Sequence, residues 1–347
     1  MTRRVAPVGC AVLLLASFAV AKDPPPPPGV LAASVGDTVV LVDPAGERMA
    51  AFETGPVGWL FEAPNGTLFA PDLVNGRTTV LDLKLGQVAD RFEGVTMPHF
   101  APSGDRYAAV ADEVLLVSYP ERAVLTRMEA GIRYPWQVEM VSDTVLLALE
   151  RGPDGAGPAV LHAVDLVTRK VVFRHQLASG VRRFALSRAL GLLAFADASS
   201  GTIELMAPAT LTPVGSVQIG GGVFDVAFLD LQGELAAVAA AADGSGGELK
   251  LWKLKVADGE LKVKKERALA LPGKPTRLAV APGERQLAVA LEPGSVAVVD
   301  VEELTTLWSR ELAGPLRDLV WCDPARPGPL LPDWSDDDGP ELRLGPR

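Results

Sequence analysis

Residues 277–312 read RLAVAPGERQLAVALEPGSVAVVDVEELTTLWSREL, and their pattern separates strand from helix. Apolar residues alternate over short runs, Gln286 to Ala290 and Ser295 to Val299, and Pro282-Gly283 and Pro293-Gly294 stand between the runs. A two-residue period places side chains on opposite faces of a strand, while Pro and Gly interrupt the chain where it must turn. The stretch therefore predicts a short apolar strand, a turn, a small-residue strand, a V-x-V-x-D strand and a last strand of alternating character.

The same unit recurs outward in both directions. It is plain in LFEAPNGTLFAPDLVNGRTTVLDLKLGQVADRF (60–92) and HFAPSGDRYAAVADEVLLVSYPERAVLTRM (99–128). Weaker copies cover 136–177, 183–219 and 224–263. First strands begin near Val57, Met97, Trp136, Arg183, Phe224, Thr276 and Arg317, at intervals of 39 to 52 residues. That spacing belongs to four-stranded propeller blades, and the absence of any amphipathic run at helical spacing argues against a helical solenoid. The predicted fold is all-β: a seven-bladed β-propeller of four-stranded antiparallel blades. Its ends explain the closure, because VLAASVGDTVVLVDPAGERMAAF (30–52) supplies three strands with no inner strand, and LRDLVW (316–321) supplies an inner strand with no outer ones. Together they make one composite blade from both termini. A count of six or eight stays open because the chain after Cys322 is ambiguous.

GERQLAVALEPGSVAVVDVEELTTL (283–307) and GDTVVLVDPAGERMAAF (36–52) resemble the YVTN-type repeats of bacterial surface and periplasmic propellers, and LKLWKL around Trp252 resembles the third strand of a WD40 repeat. The resemblance covers most of the chain at the level of fold. The units lack a regular Gly-His dipeptide, so the WD40 side-chain network is not carried over, and fold alone does not give function.

Domain organisation follows from composition. Residues 1–21 read as a signal peptide: Arg3-Arg4, an apolar run from Val5 to Val20, and the small-residue motif Ala19-Val20-Ala21, with cleavage after Ala21. The expected destination is the periplasm or the extracellular space, with a membrane role only through an uncleaved signal. Residues 22–29 form a Pro-rich spacer, 30–321 the propeller and 322–347 a Pro/Asp-rich tail. Cleavage would leave Cys322 as a lone thiol that forms no intrachain disulfide, so the core must hold the body together. A monomeric body is expected.

The formal net charge of −10 disfavours nucleic acid, whose binders carry basic surfaces. Lys250, Lys253, Lys255, Lys262, Lys264 and Lys265 interrupt that acidity where outer strands are expected, and lysines there discourage edge-to-edge pairing.

Chemistry-bearing motifs are sparse. There is no H-E-x-x-H, C-x-x-C, G-x-S-x-G or P-loop pattern. His99, His162 and His175 fall in separate units, Gly220-Gly221-Gly222 and the DGSGGE stretch from Asp243 read as turns, and the acidic run from Pro332 fails the ligand spacing of a calcium loop. No catalytic residue, metal site or cofactor is assigned.

Aligning the seven first strands on their apolar cores places one residue of each at a common lead position: Trp59, Met97, Gln137, Arg183, Asp225, Arg277 and Asp318. Innermost strands surround the axial channel, so these side chains should gather at one mouth. The alternation Arg183, Asp225, Arg277, Asp318 suggests an ion-pair collar between blades. A ligand site would instead use Arg183 and Arg277 as forks for an anionic group, with Trp59 and Trp136 as apolar walls. The leading expectation is a non-enzymatic exported propeller that binds a protein, peptide or glycan. The alternatives are a lactonase-like hydrolase or a periplasmic dehydrogenase-type subunit with its site at the mouth, and a purely structural envelope subunit.

Overall fold

A computed structural model describes residues 29–326, except 94–96, 111–112, 133–134, 152–156, 209, 242–245 and 258. The signal peptide, nearly all of the spacer and the acidic run of the tail lie outside the described residues, as do Asp243 to Ser245.

The strands form seven four-stranded sheets, each ordered consecutively from its innermost strand except one. The exception joins Leu316–Cys322 to Val30–Val35, Thr38–Val42 and Arg48–Glu53. Its inner pair runs antiparallel in a register that includes Val30 with Cys322 and Ala33 with Leu319. The two ends of the chain thus share one blade and close the ring. We number this composite sheet blade 1 and the rest in chain order, with inner strands Phe61–Ala63, His99–Phe100, Pro135–Met140, Val181–Ser187, Val223–Leu229 and Pro275–Val280 in blades 2 to 7. Among the described residues a single 3-10 turn, Pro64–Gly66, interrupts the strands, and no helix is long and apolar enough to cross a membrane.

Packing explains the composition. In blade 7 the second strand, Gln286–Leu291, is buried on both faces. Its small residues Ala288 and Ala290 meet blade 1, whereas Leu287 and Val289 meet blade 6. Period-two alternation here sorts small from large rather than polar from apolar, because both faces of a middle strand are covered. Seven apolar clusters result among the described residues, each spanning the seam between two neighbouring blades. Each fully buried Leu or Val contributes about 1.5–3 kcal/mol, so the ring is held by these seams.

Two local features follow from the same logic. Gly221 and Gly222 carry no side chain because a Cβ would lie 2.1 Å from the Ala240 carbonyl oxygen and 2.6 Å from that of Ala198. Gly221 thus lies against the second strand of its own blade and Gly222 against blade 5, whereas Gly220 has open space at its Cβ position and takes a positive φ of 98°. In blade 6 the outer strands Gly247–Ala257 and Glu260–Leu271 extend as a hairpin of 11 and 12 residues. Leu254, Val256 and Leu261 fold it against blade 5, while Lys253, Lys255, Lys262, Lys264 and Lys265 are exposed. The lysines therefore do lie on outer strands, and Lys250 is drawn into ion pairs with Glu248 and Glu266.

Candidate functional site

Strand register brings the lead residues to one level. Gln137, Arg183, Asp225, Arg277 and Asp318 each oppose the fifth residue of the neighbouring second strand: Leu149, Ala196, Val238, Ala290 and Ser34. In blade 2 an isolated bridge joins Val57 to Asp72 and the ladder resumes with Phe61 opposite Phe69, and in blade 3 the described pairing begins with His99 opposite Ala108. Trp59 and Met97 stand two residues ahead of these, at the equivalent level. A register shift just precedes the lead residue in all five fully paired inner strands. Such bulges re-aim side chains, and here they turn the strand starts at a common height on the channel wall.

Three lead residues stitch their blade to the next. The Gln137 amide donates from Nε2 to the Phe184 carbonyl at 2.7 Å and accepts from the Phe184 N–H at 2.9 Å. Asp225 accepts the Leu278 N–H at 3.0 Å, and Asp318 accepts the Leu60 N–H at 2.9 Å. In each case the donor, or the peptide gripped, belongs to the residue after the next blade's lead position. An arginine offers no acceptor, so the seam after Arg183 lacks this stitch, and Asp225 turns its other oxygen to the Val226 N–H at 3.0 Å.

This division changes the meaning of the alternating charges. Arg277 and Asp318 meet at 3.3 Å, with side chains 24% and 14% exposed, and the Arg277 guanidinium also donates to the Thr276 carbonyl. Burial raises the Asp318 carboxyl above its usual range, against the pull of Arg277, the Leu60 amide and Arg183. Arg183 differs. Burial lowers its pKa and the field of Asp225 offsets this, yet no hydrogen bond or contact ion pair holds its guanidinium among the described residues. The collar contains one contact pair and one arginine held only at longer range.

Arg183 borders a cavity of about 250 Å³. Trp59, Phe61, Met97 and Trp136 form its apolar wall, and His99 and Gln137 complete its polar side. Trp136 occupies the bulge ahead of Gln137, is 41% exposed, and carries the Arg151 guanidinium over its ring at 5.4 Å. His99 packs edge-on to Phe61 at 5.1 Å. Burial depresses the His99 pKa to about 3, so the ring is neutral at ordinary pH, with one nitrogen hydrogen-bonded to the Val138 backbone. Asp225, Arg277 and Asp318 do not line this cavity. The sequence reading gathered these residues at one mouth, but it missed Phe61, which a step of two along the inner strand from Trp59 would have found.

The same step from Gln137 leads to Glu139 deeper in the channel, where burial raises its pKa to about 7; Arg188 opposes the shift and Asp230 adds to it. Among the described residues lining the cavity there is no Ser, Thr, Cys, Asp or Glu to serve as nucleophile or acid, and no group of three or more metal-ligating side chains occurs among the described residues. His162 contacts Glu150 at 2.7 Å inside blade 4, and His175 stacks on Phe173; neither lines this cavity. A more open depression of about 510 Å³, bordered by Glu62, Glu284, Trp321 and Arg326, lies at the opposite ends of the inner strands.

No family model matches the sequence, and no curated protein matches it. Solved structures resemble it in fold. Hydrazine synthase from Kuenenia stuttgartiensis superposes with a TM-score of 0.58 at 13% identity, covering 77% of this chain and 89% of that one. Apo AztD from Citrobacter koseri gives 0.58 at 15% identity, covering 85% and 97%. The Cps50 (Swd1) β-propeller domain of Myceliophteria thermophila gives 0.56 at 11% identity, covering 74% and 87%. At these identities the likeness is one of propeller fold alone.

Proposed function

We propose that this chain is an exported, non-enzymatic propeller of the cell envelope that binds a protein, peptide or glycan partner at the mouth formed by its inner-strand starts. One observation carries the reading: an aromatic-walled cavity at that mouth, with Arg183 the one cationic side chain among the described residues that line it. Concave apolar sites with a few placed polar groups are the usual form of a binding pocket. The ion-paired and amide-stitched lead residues around it supply a rigid rim. The test is affinity capture from envelope extract with the wild-type protein and Trp136→Ala. A partner held by the wild type and lost by the variant at unchanged melting temperature supports the reading; equal capture by both removes the mouth from it.

The hydrolytic alternative would have to use His99, the imidazole bordering the cavity, yet a ring whose pKa burial holds at about 3 is a weak base at ordinary pH. Lactone hydrolysis abolished by His99→Gln would establish that alternative, and a wild-type protein inert towards lactones would dismiss it.

A further inference from the structure

The cavity at the inner-strand mouth offers three recognition elements within a small volume. The first is a cation without a contact partner. Arg277 is bound to Asp318 and Thr276, and the oxygens of Asp225 and Asp318 are turned to backbone N–H groups or to Arg277. Arg183 alone of the four charged lead residues both borders the cavity and lacks a hydrogen bond among the described residues. A guanidinium presents paired N–H donors in a plane that matches a carboxylate. The second element is the wall of Trp59, Phe61, Met97 and Trp136. The third is His99, whose neutral ring uses one nitrogen on the Val138 backbone and leaves the other as an acceptor.

Volume and charge narrow the ligand. About 250 Å³ lies below the range that holds drug-sized molecules, so the cavity takes a group the size of one residue rather than an oligosaccharide chain. No carboxylate lines it among the described residues, so Asp225 and Asp318 compete with an arriving anion for Arg183 only through their longer-range fields. A polypeptide C-terminus presents a carboxylate, an apolar side chain and a backbone N–H within one residue, which matches the cation, the wall and the acceptor in turn.

Resting on the binding function proposed above, we infer that the mouth captures the C-terminal residue of a polypeptide, with Arg183 gripping the terminal carboxylate and the Trp59–Trp136 wall holding an apolar side chain.

The experiment titrates the full-length protein with N-acetyl-L-phenylalanine, its amide N-acetyl-L-phenylalaninamide, and 3-phenylpropionate, using wild type, Arg183→Gln and Arg183→Lys. The acid should bind the wild type at least tenfold more tightly than the amide, and Arg183→Gln should abolish that preference without weakening the amide, which controls for folding. Arg183→Lys keeps the charge but not the fork and should retain only part of the preference. Equal binding of acid and amide to the wild type, or a preference that survives Arg183→Gln, overturns the inference. If 3-phenylpropionate binds as tightly as N-acetyl-L-phenylalanine, the backbone N–H contributes nothing and the assignment to a polypeptide C-terminus fails. The inference also fails if no probe binds. Envelope capture lost in Trp136→Ala would then leave the broader binding function standing, and capture indifferent to Trp136 would remove both.

Discussion

Asp318 serves two seams with one carboxylate, accepting the Leu60 N–H of blade 2 and pairing with Arg277 of blade 7. Removing one partner of a largely buried pair leaves an uncompensated charge, so Asp318→Ala should cost about 3 kcal/mol in urea denaturation. Arg183→Ala, which breaks no contact pair, should cost about 0–1 kcal/mol; equal losses would contradict the division between stitching and free lead residues. Arg277→Ala should likewise lower stability more than it lowers partner capture. Glu139 gives a pH signature. Its folded pKa of about 7 exceeds the ordinary 4.5, so its protonated form favours the fold, and the contribution present below pH 4.5 is lost as pH rises through about 7. His99 acts in the opposite sense, because a ring kept neutral in the fold costs stability as pH falls below 6.5. The difference between wild type and Glu139→Gln therefore isolates the carboxyl. Relative to the variant, wild type should lose on the order of 2–3 kcal/mol between pH 4.5 and 8, read from urea midpoints, and parallel profiles would refute the assignment.

At the scale of elements, the long hairpin of blade 6 sets lysine against lysine. Lys253 lies opposite Lys265 and Lys255 opposite Lys262, and like charges facing across a strand pair are destabilising. Lys253 also faces Glu234 on its other side, whereas Lys265 on the outermost strand faces Lys253 alone. Lys265→Glu should therefore stabilise the protein by about 0.2–1 kcal/mol, measured as a rise in urea midpoint, while a fall would show that the lysine contributes a contact its exposure conceals. The lysines are consistent with protection of an outer strand from edge pairing, bought at a small cost in stability. The inner strands show a different economy, in which one bulge repeated at one level aims five lead side chains without any motif beyond the repeat itself.

At the scale of the molecule, closure depends on the strand Leu316–Cys322. Asp323 donates its N–H to Glu62 at 2.8 Å and Arg326 pairs with Glu62 at 3.2 Å, so the chain beyond that strand also grips blade 2. Deleting residues 316–347 exposes one side of Val30–Val35 and opens the apolar clusters on both sides of blade 1. The truncated protein should lose its cooperative thermal transition near the parent temperature, and an unchanged melt by circular dichroism would count against the composite blade as the lock. The sequence alone carried the all-β class, the seven repeats, the joining of the two ends and the lead positions, because these follow from periodicity, turn residues and repeat alignment, which are local along the chain. Tertiary structure alone separated Arg183 from Arg277 and distinguished stitching carboxylates from pairing ones. It also assembled Trp59, Phe61, His99 and Trp136 into one cavity. The physical reason is that a side chain's partner is set by the bulge that aims it and by the neighbouring blade whose backbone it meets, and both are contacts between segments tens to hundreds of residues apart.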